Sequence, residues 1–161
     1  MAGPDALPAP EMRAMLDGLL DKYRTALHDC LDDLTEEEAR ASLVPSTTTL
    51  LGLVKHVTYV EGVWFDHAIT GRSYQEIGIA TSPGRSFTLR KADTIDAVQR
   101  AYRERCDTSR LLAGELALDA VVHGRGERPL WRICLHMLRE LARHAGHADI
   151  LREQALDLRR A

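Results

Sequence analysis

Residues 131–153, WRICLHMLRELARHAGHADILRE, are the stretch that decides the fold of this chain. Apolar side chains recur there among charged ones at helical spacing, which predicts an amphipathic helix. With its neighbours, this predicted last helix runs from about Leu130 to Leu156. A loop rich in glycine, residues 119–129, comes before it.

Three more long helices are predicted earlier in the chain. The second covers about residues 48–70 and ends before Gly71, a residue type that often follows a helix end. The third covers about residues 95–117, after the capping residue Thr94. The first begins near Glu11, and its apolar residues follow a three-four spacing: Met12, Met15, Leu16, Leu19, Leu20, Tyr23, Leu27 and Leu31.

The segments between these helices carry fewer signals. Thr35 is followed by three glutamates, the pattern of a helix N-terminus, and predicts a short helix. Residues 71–92 contain scattered Gly and Pro, so we expect a long connection with one short strand-like piece at residues 86–89. Residues 1–10 hold three prolines and are expected to form a flexible N-terminal arm.

Four long amphipathic helices predict an all-α four-helix bundle, with long connections after the second and third helices. The 161 residues fit one domain, which we expect to cover residues 11–161. Aromatic residues make up only 5% of the chain, which favours helix packing over a β-sandwich. A domain of this size folds without a structural metal, so an ion bound here is expected to serve chemistry.

Charge and composition exclude several classes of function. The formal net charge is −3 with acids and bases interspersed, so the chain lacks the basic face of a nucleic-acid-binding protein. Neither a secretory signal nor an apolar run of about 20 residues is present, which argues against a membrane protein. The three cysteines form no CxxC pair, which suits reduced thiols and a cytoplasmic location. The broad apolar faces of the first three helices predict a homodimer.

Glu140 and His144 lie one helical turn apart on the predicted last helix. A carboxylate and an imidazole at this spacing can chelate one metal ion. The same spacing is also common in a solvated side-chain pair, and spacing alone leaves both readings open. His136 lies one turn before this pair and is either a neighbour or a core histidine. His147 lies one turn after it, near the helix end.

His56 is the other candidate, on the second predicted helix. It is embedded in an apolar face, and taken alone such a histidine is more often a satisfied core residue than a ligand. His67 returns to the same face about three turns later, too far to share an ion with His56. His28 and His123 have no local partner and are expected at the surface.

Two segments together carry a resemblance to a known family. LVPSTTTLLGLVKHVTYVEGVWFDHAITG and WRICLHMLRELARHAGHADILRE resemble the DinB-like superfamily, in particular its uncharacterised actinobacterial branch. They are also similar to the metal-binding domain of mycothiol-dependent maleylpyruvate isomerase. The resemblance covers about residues 11–156 and implies a four-helix bundle.

The resemblance also implies a metal site. One histidine of the second helix and a pair four apart on the last helix hold the ion in such proteins, and these positions are His56, Glu140 and His144 here. Many members have histidine at the first position of the pair and a basic residue, Gly and Gln after its second position. This chain has Glu140 there, as the maleylpyruvate isomerase relatives do, and Ala145 and His147 replace the basic residue and the Gln.

Three ligands leave a coordination position open, as in a catalytic site. The expected cofactor is a divalent metal ion, zinc before nickel, iron or manganese, together with a low-molecular-weight thiol such as mycothiol, as the resemblance implies. The leading hypothesis is a metal-dependent thiol S-transferase or isomerase acting on a small electrophile. The alternatives are a non-catalytic metal- or small-molecule-binding stress protein and a metal-dependent hydrolase.

Overall fold

The computed structural model describes residues 9–160, and within that range the chain is mostly helical. The all-α class predicted from the sequence is confirmed. Residues 1–8 of the predicted arm lie outside the described residues, and the first helix begins at Ala9, just before the predicted Glu11. The helices are α1 (Ala9–Asp29), α2 (Glu36–Arg40), α3 (Leu50–Glu61), α4 (Ala68–Thr70), α5 (Tyr74–Ile77), α6 (Pro83–Ser86), α7 (Ile95–Gly114) and α8 (Leu130–Asp157).

Helix α3 continues into α4 through a π-helical segment, Gly62–His67. Together these pieces form the predicted second helix. It starts after Thr49, whose side chain accepts a hydrogen bond from the backbone nitrogen of Gly52 and so caps the first turn. The helix ends at Gly71, which adopts the left-handed conformation that glycine reaches without strain.

The long helices enclose one hydrophobic core. Helix α8 packs along α1 and against α3, while α7 packs along α3 and touches α1. Leu27, Leu51, Tyr102, Met137 and Leu141 are among the fully buried side chains at these contacts. Burial of this apolar surface is the main source of the stability of the fold.

A buried ion pair joins α1 to the second long helix. Arg24 donates from Nε to Oε1 of Glu61 at 2.8 Å and from Nη2 to Oε2 at 3.0 Å. The Arg24 side chain is only 5% exposed and that of Glu61 is 0% exposed. Burial alone would lower the pKa of Arg24, but the pairing with Glu61 raises it above its ordinary value. The guanidinium also lies 5.3 Å from the centre of the Phe65 ring.

The connection between α4 and α7 differs from the sequence prediction. The sequence predicts a strand-like piece at residues 86–89, and this prediction is wrong, because Ser86 is the last residue of helix α6 and the chain then turns at Phe87. Ser82 caps this helix and Pro83 occupies its first turn, a combination that favours a helix start. The loop before α8 contains a small hairpin, β1 (Val121–Val122) and β2 (Arg128–Pro129).

The predicted short helix after Thr35 is confirmed as α2. Thr35 and Glu38 form a reciprocal capping box, and Arg159 near the end of the chain pairs with the Glu38 carboxylate at 2.6 Å. Among residues 9–160, none of the helices combines the length and apolar character that crossing a bilayer requires.

Candidate metal centre

His56 and His144 come together between α3 and α8. Their ring centres are 5.0 Å apart and the ring planes are nearly perpendicular, at 77°. His56 is 7% exposed and His144 is 9% exposed. Two imidazoles from separate helices, both at the edge of the core, are therefore neighbours in space although 88 positions separate their numbers.

Glu140 lies at the outer edge of this pair. Its Oε2 atom is 3.8 Å from Nε2 of His144, and its Oε1 atom accepts a hydrogen bond from Arg143 at 2.9 Å. The donor atoms of His56, Glu140 and His144 are not all within 4.8 Å of one another. A shared ion therefore requires the side chains to move from these positions, and Glu140 would have to give up its contact with Arg143 or share that oxygen with the ion.

The tautomer of His56 follows from its hydrogen bond with Ser86. The hydroxyl of Ser86 donates its single proton to the carbonyl oxygen of Pro83. The Nδ1 atom of His56, 2.7 Å from the same hydroxyl, must then be the donor of that bond. Nε2 of His56 keeps a free lone pair, the arrangement found when a histidine binds a metal ion and a neighbouring group orients the ring.

His144 has an unusual environment for a buried histidine. Its Nδ1 atom is shielded from solvent and has no hydrogen-bond partner within the described residues. Such a group is costly in a fold, and a ligand bound to the imidazole is one physical reason for keeping it.

Both rings are neutral at pH 7, the form that binds metal ions. Burial lowers the pKa of His56 to about 4, and the neighbouring His144 lowers it further in the same direction. Burial also lowers the pKa of His144, while Glu140 opposes this shift. The donor set of two neutral imidazoles and a carboxylate therefore fits a divalent ion.

The other two histidines of α8 lie beside this centre. His136 packs against the Trp64 ring, with ring centres 3.9 Å apart, and accepts a hydrogen bond from Arg139 at 3.0 Å. The ring of His147 is exposed and lies 5.8 Å from that of His144.

Aromatic rings line the approach to His56. Phe87 stacks on His56 at 4.0 Å between ring centres, and Tyr59 lies 6.0 Å away. Tyr74 follows, 6.1 Å from Tyr59, and its hydroxyl accepts a hydrogen bond from Arg125. These three rings form an aromatic rim beside His56, which is itself buried.

A second group of possible ligands lies on α1 and just after it. His28, Asp29 and Asp32 place donor atoms within 4.8 Å of one another, so the expectation that His28 has no local partner is wrong. Nδ1 of His28 is already 2.7 Å from Asp29, and Nε2 is 3.1 Å from a guanidinium nitrogen of Arg103. A cation here would have to displace that arginine, so the His56 centre is the better candidate.

The chain's own thiols are not placed for chemistry. Cys30, Cys106 and Cys134 are all free and buried. Burial raises the pKa of Cys30 to about 12 and that of Cys134 to about 11, and it raises the pKa of Cys106 as well. Because the thiolate is the reactive form, none of them is a nucleophile at neutral pH.

Ser86 and the aromatic rim were not identified from the sequence. Ser86 is 30 positions from His56, and the sequence prediction placed it in a strand. The Ser82–Pro83 pair was the available signal, since a serine cap before a first-turn proline predicts a short helix that ends near Ser86.

Comparisons with known proteins identify a family that this chain matches. A family model described as mycothiol-S-transferase matches residues 15–156, a range that contains the candidate centre. A comparison with curated proteins found no match.

Proposed function

Because the chain belongs to the mycothiol-S-transferase family, we propose that it is a metal-dependent enzyme that joins a small thiol to a small electrophile. The family lies within the DinB-like superfamily, so the resemblance drawn from the sequence is confirmed at that level. In this proposal the domain covers residues 11–161, and its four long helices form the bundle predicted from the sequence. Mycothiol is the thiol that the family name indicates.

His56, Glu140 and His144 are the proposed ligands of a divalent ion, with zinc as the first candidate. The observation that carries the proposal is the pairing of a neutral His56, fixed by Ser86 with a free Nε2 atom, with a buried His144 whose ring is 5.0 Å away and whose Nε2 atom is 3.8 Å from Glu140. Such an ion would hold a thiol as its thiolate at neutral pH.

The residues around the centre have separate tasks. Ser86 holds the ring of His56 in one tautomer, and Glu140 supplies a negative charge that offsets part of the charge of the ion. Tyr59, Phe87 and Tyr74 keep water away from the entering electrophile. In the transfer an S–H bond breaks and an S–C bond forms, and the proton leaves with the displaced group or goes to the neighbouring carbon. No oxidant is needed.

The buried cysteines support an external thiol. The three thiols of the chain are held protonated in the core, so the sulfur nucleophile must come from a second substrate. Buried, unpaired cysteines also favour the proposed cytoplasmic location.

The test of the proposal is thiol consumption with and without a chelator. The purified protein is mixed with mycothiol and, in separate assays, with the neutral 1-chloro-2,4-dinitrobenzene or the acidic monomethyl fumarate, and loss of free thiol is followed over time. We expect a rate above the uncatalysed reaction that disappears with chelator and returns with one of zinc, nickel, iron or manganese. A rate that the chelator does not change would contradict metal dependence. Metal binding without thiol consumption would favour the non-catalytic binding protein.

Replacing Ser86 with alanine directly tests the observation that Ser86 fixes the tautomer of His56. We expect metal affinity to fall by about 10- to 100-fold, because the ring of His56 loses the group that fixes its tautomer. Metal affinity is measured by competition with a chromogenic chelator. Ser46→Ala is the control, because Ser46 is exposed and is distant from Ser86 in the sequence. Equal affinity of the two variants would contradict the role of Ser86.

A homodimer remains part of the proposal. Helix α1 exposes Met12 and Met15, and α8 exposes Ile150. Large apolar side chains at the surface are typical of protein contacts. Light scattering at micromolar concentration is expected to give the mass of two chains, and the mass of one chain would contradict it.

A further inference from the structure

Two arginines of the hairpin loop lie on the same aromatic ring beside the candidate centre. The guanidinium carbon of Arg125 is 4.5 Å from the centre of the Trp64 ring, and that of Arg128 is 5.4 Å from it. His136 contacts the same ring, at 3.9 Å between ring centres. Trp64 therefore has two positive charges within 5.4 Å of the centre of its ring.

Neither arginine has an acidic partner among the described residues. Arg139 and Arg143, which are nearby, both pair with Glu140, at 3.7 Å and 2.9 Å. Arg125 instead donates from Nη1 to the hydroxyl of Tyr74 at 3.0 Å, and Arg128 donates to backbone carbonyls of its own loop. Two guanidinium groups without an acidic partner form a region in which an anion is electrostatically favoured.

The N–H groups of Arg125 that have no partner lie along one edge of its guanidinium group, and this edge is the one that can bind a carboxylate. Its Nε atom is buried and has no hydrogen-bond partner in the part of the chain that the structure describes. Nη1 is taken by Tyr74, so Nε and Nη2 remain, and these two parallel N–H groups match the two oxygens of a carboxylate. Nε is closed to solvent, so an anion reaches this edge only when the hairpin loop moves.

The position of Arg125 links this pair to both sides of the centre. Its partner Tyr74 lies 6.1 Å from Tyr59, whose ring is 6.0 Å from His56. Trp64, on the other side, contacts His136, one helical turn before Glu140 on α8. The arginine pair therefore lies next to residues that border the candidate centre.

A positively charged groove reaches Arg128. Its volume is about 630 Å³, and Glu127 is the one acidic side chain among the described residues that line it. Arg128 lies in its wall, so an entering anion meets this arginine first. The rest of the lining is Trp131, Arg132, Leu135, His136 and Arg139.

We propose that Arg125 and Arg128 bind a carboxylate of the electrophile, so that the substrates are small activated acids rather than neutral molecules. This inference rests on the proposed function, which identifies the second substrate as an electrophile. The thiol is not the ligand of the arginines, because mycothiol carries neither a carboxylate nor a phosphate. The arginine pair therefore selects the second substrate.

The first experiment measures binding without turnover. Succinate, a small unreactive dicarboxylate, and succinamide, its neutral counterpart, are titrated by calorimetry into the purified protein, as isolated and after chelator treatment. We expect succinate to bind in both preparations and succinamide to bind in neither. Arg125→Gln and Arg128→Gln should each weaken that binding by about tenfold or more, the usual effect of losing a charge-assisted contact. Arg100→Gln, an exposed arginine paired with Asp96 on α7, should leave it unchanged.

The outcomes separate this inference from the proposed function. Equal binding of succinate and succinamide, unchanged binding in both variants, or equal loss in Arg100→Gln would overturn the arginine site. Tighter and equally arginine-dependent binding of inorganic phosphate would overturn the choice of a carboxylate. Arginine-dependent succinate binding in a protein that consumes no thiol would support the anion site and contradict the transferase.

A second experiment uses a more conservative variant, in case the Arg125→Gln or Arg128→Gln protein folds poorly. Arg125→Lys keeps the charge and loses the paired donors, and its melting temperature is measured beside that of the wild type. In the thiol assay we expect monomethyl fumarate, which has a carboxylate, to be preferred over dimethyl fumarate after correction for the uncatalysed rates. A folded Arg125→Lys protein that keeps the full preference would overturn the bidentate contact, and loss of the preference would support it.

Discussion

Replacing Glu61 with alanine is expected to lower the free energy of unfolding by about 3–5 kcal/mol, because Arg24 is then left charged and unpaired inside the core. For a domain of this length such a loss corresponds to a fall of about 6–20 °C in the melting temperature. The effect is large because both side chains are buried and both oxygens of Glu61 accept a hydrogen bond from Arg24. Calorimetric melting or urea unfolding measures it.

Two controls distinguish the buried charge from a general loss of packing. The double replacement Arg24→Met with Glu61→Leu removes both charges, and most of the stability should return. Arg100→Ala breaks an exposed pair with Asp96 and should cost at most about 0.5 kcal/mol. A Glu61→Ala protein as stable as the Arg100→Ala protein would show that the pair contributes little.

Replacing His144 with alanine is expected to abolish metal binding and lower the rate of thiol transfer by at least about 100-fold. Loss of a group that only orients a ligand already costs about 10- to 100-fold, and His144 is a proposed ligand itself. The melting temperature should change by only a few degrees, because the core is built from apolar contacts among the long helices. Metal content, rate and melting are measured on the same preparation.

His147→Ala is the matched control for this prediction. It removes an exposed imidazole one turn further along α8 and should keep both metal and activity. Full activity in the His144→Ala protein would contradict the proposed centre. Loss of metal with a collapse of the melting transition would identify a structural ion, since binding energy is then folding energy.

The long helices could be predicted because their signals are local. Thr49 and Thr94 cap α3 and α7, and the apolar spacing of α8 continues from its start at Leu130 to its end at Asp157. Each of these signals acts within one or two turns of the chain, so a sequence read in windows contains it.

The candidate centre could be predicted only in part. The spacing of Glu140 and His144 and the apolar setting of His56 are visible in the sequence, and the resemblance then assigned all three the role of ligands. The role of Ser86 depends on a turn at residues 82–87 that folds back onto α3, and the role of Arg125 depends on the hairpin before α8. Such short elements are fixed by tertiary contacts more than by their own propensities, so their partners cannot be found from local patterns.

The burial of the three cysteines has a consequence for a protein that handles thiols. Thiol–disulfide exchange begins with a thiolate reaching an exposed sulfur, and the oxidised, disulfide form of a small thiol accumulates under oxidative stress. A surface cysteine with an ordinary pKa would then form a mixed disulfide with the co-substrate and stop the enzyme. Cys30, Cys106 and Cys134 are at most 5% exposed and are held protonated. Under the proposed function, this burial protects the protein from mixed disulfides with the oxidised form of its co-substrate.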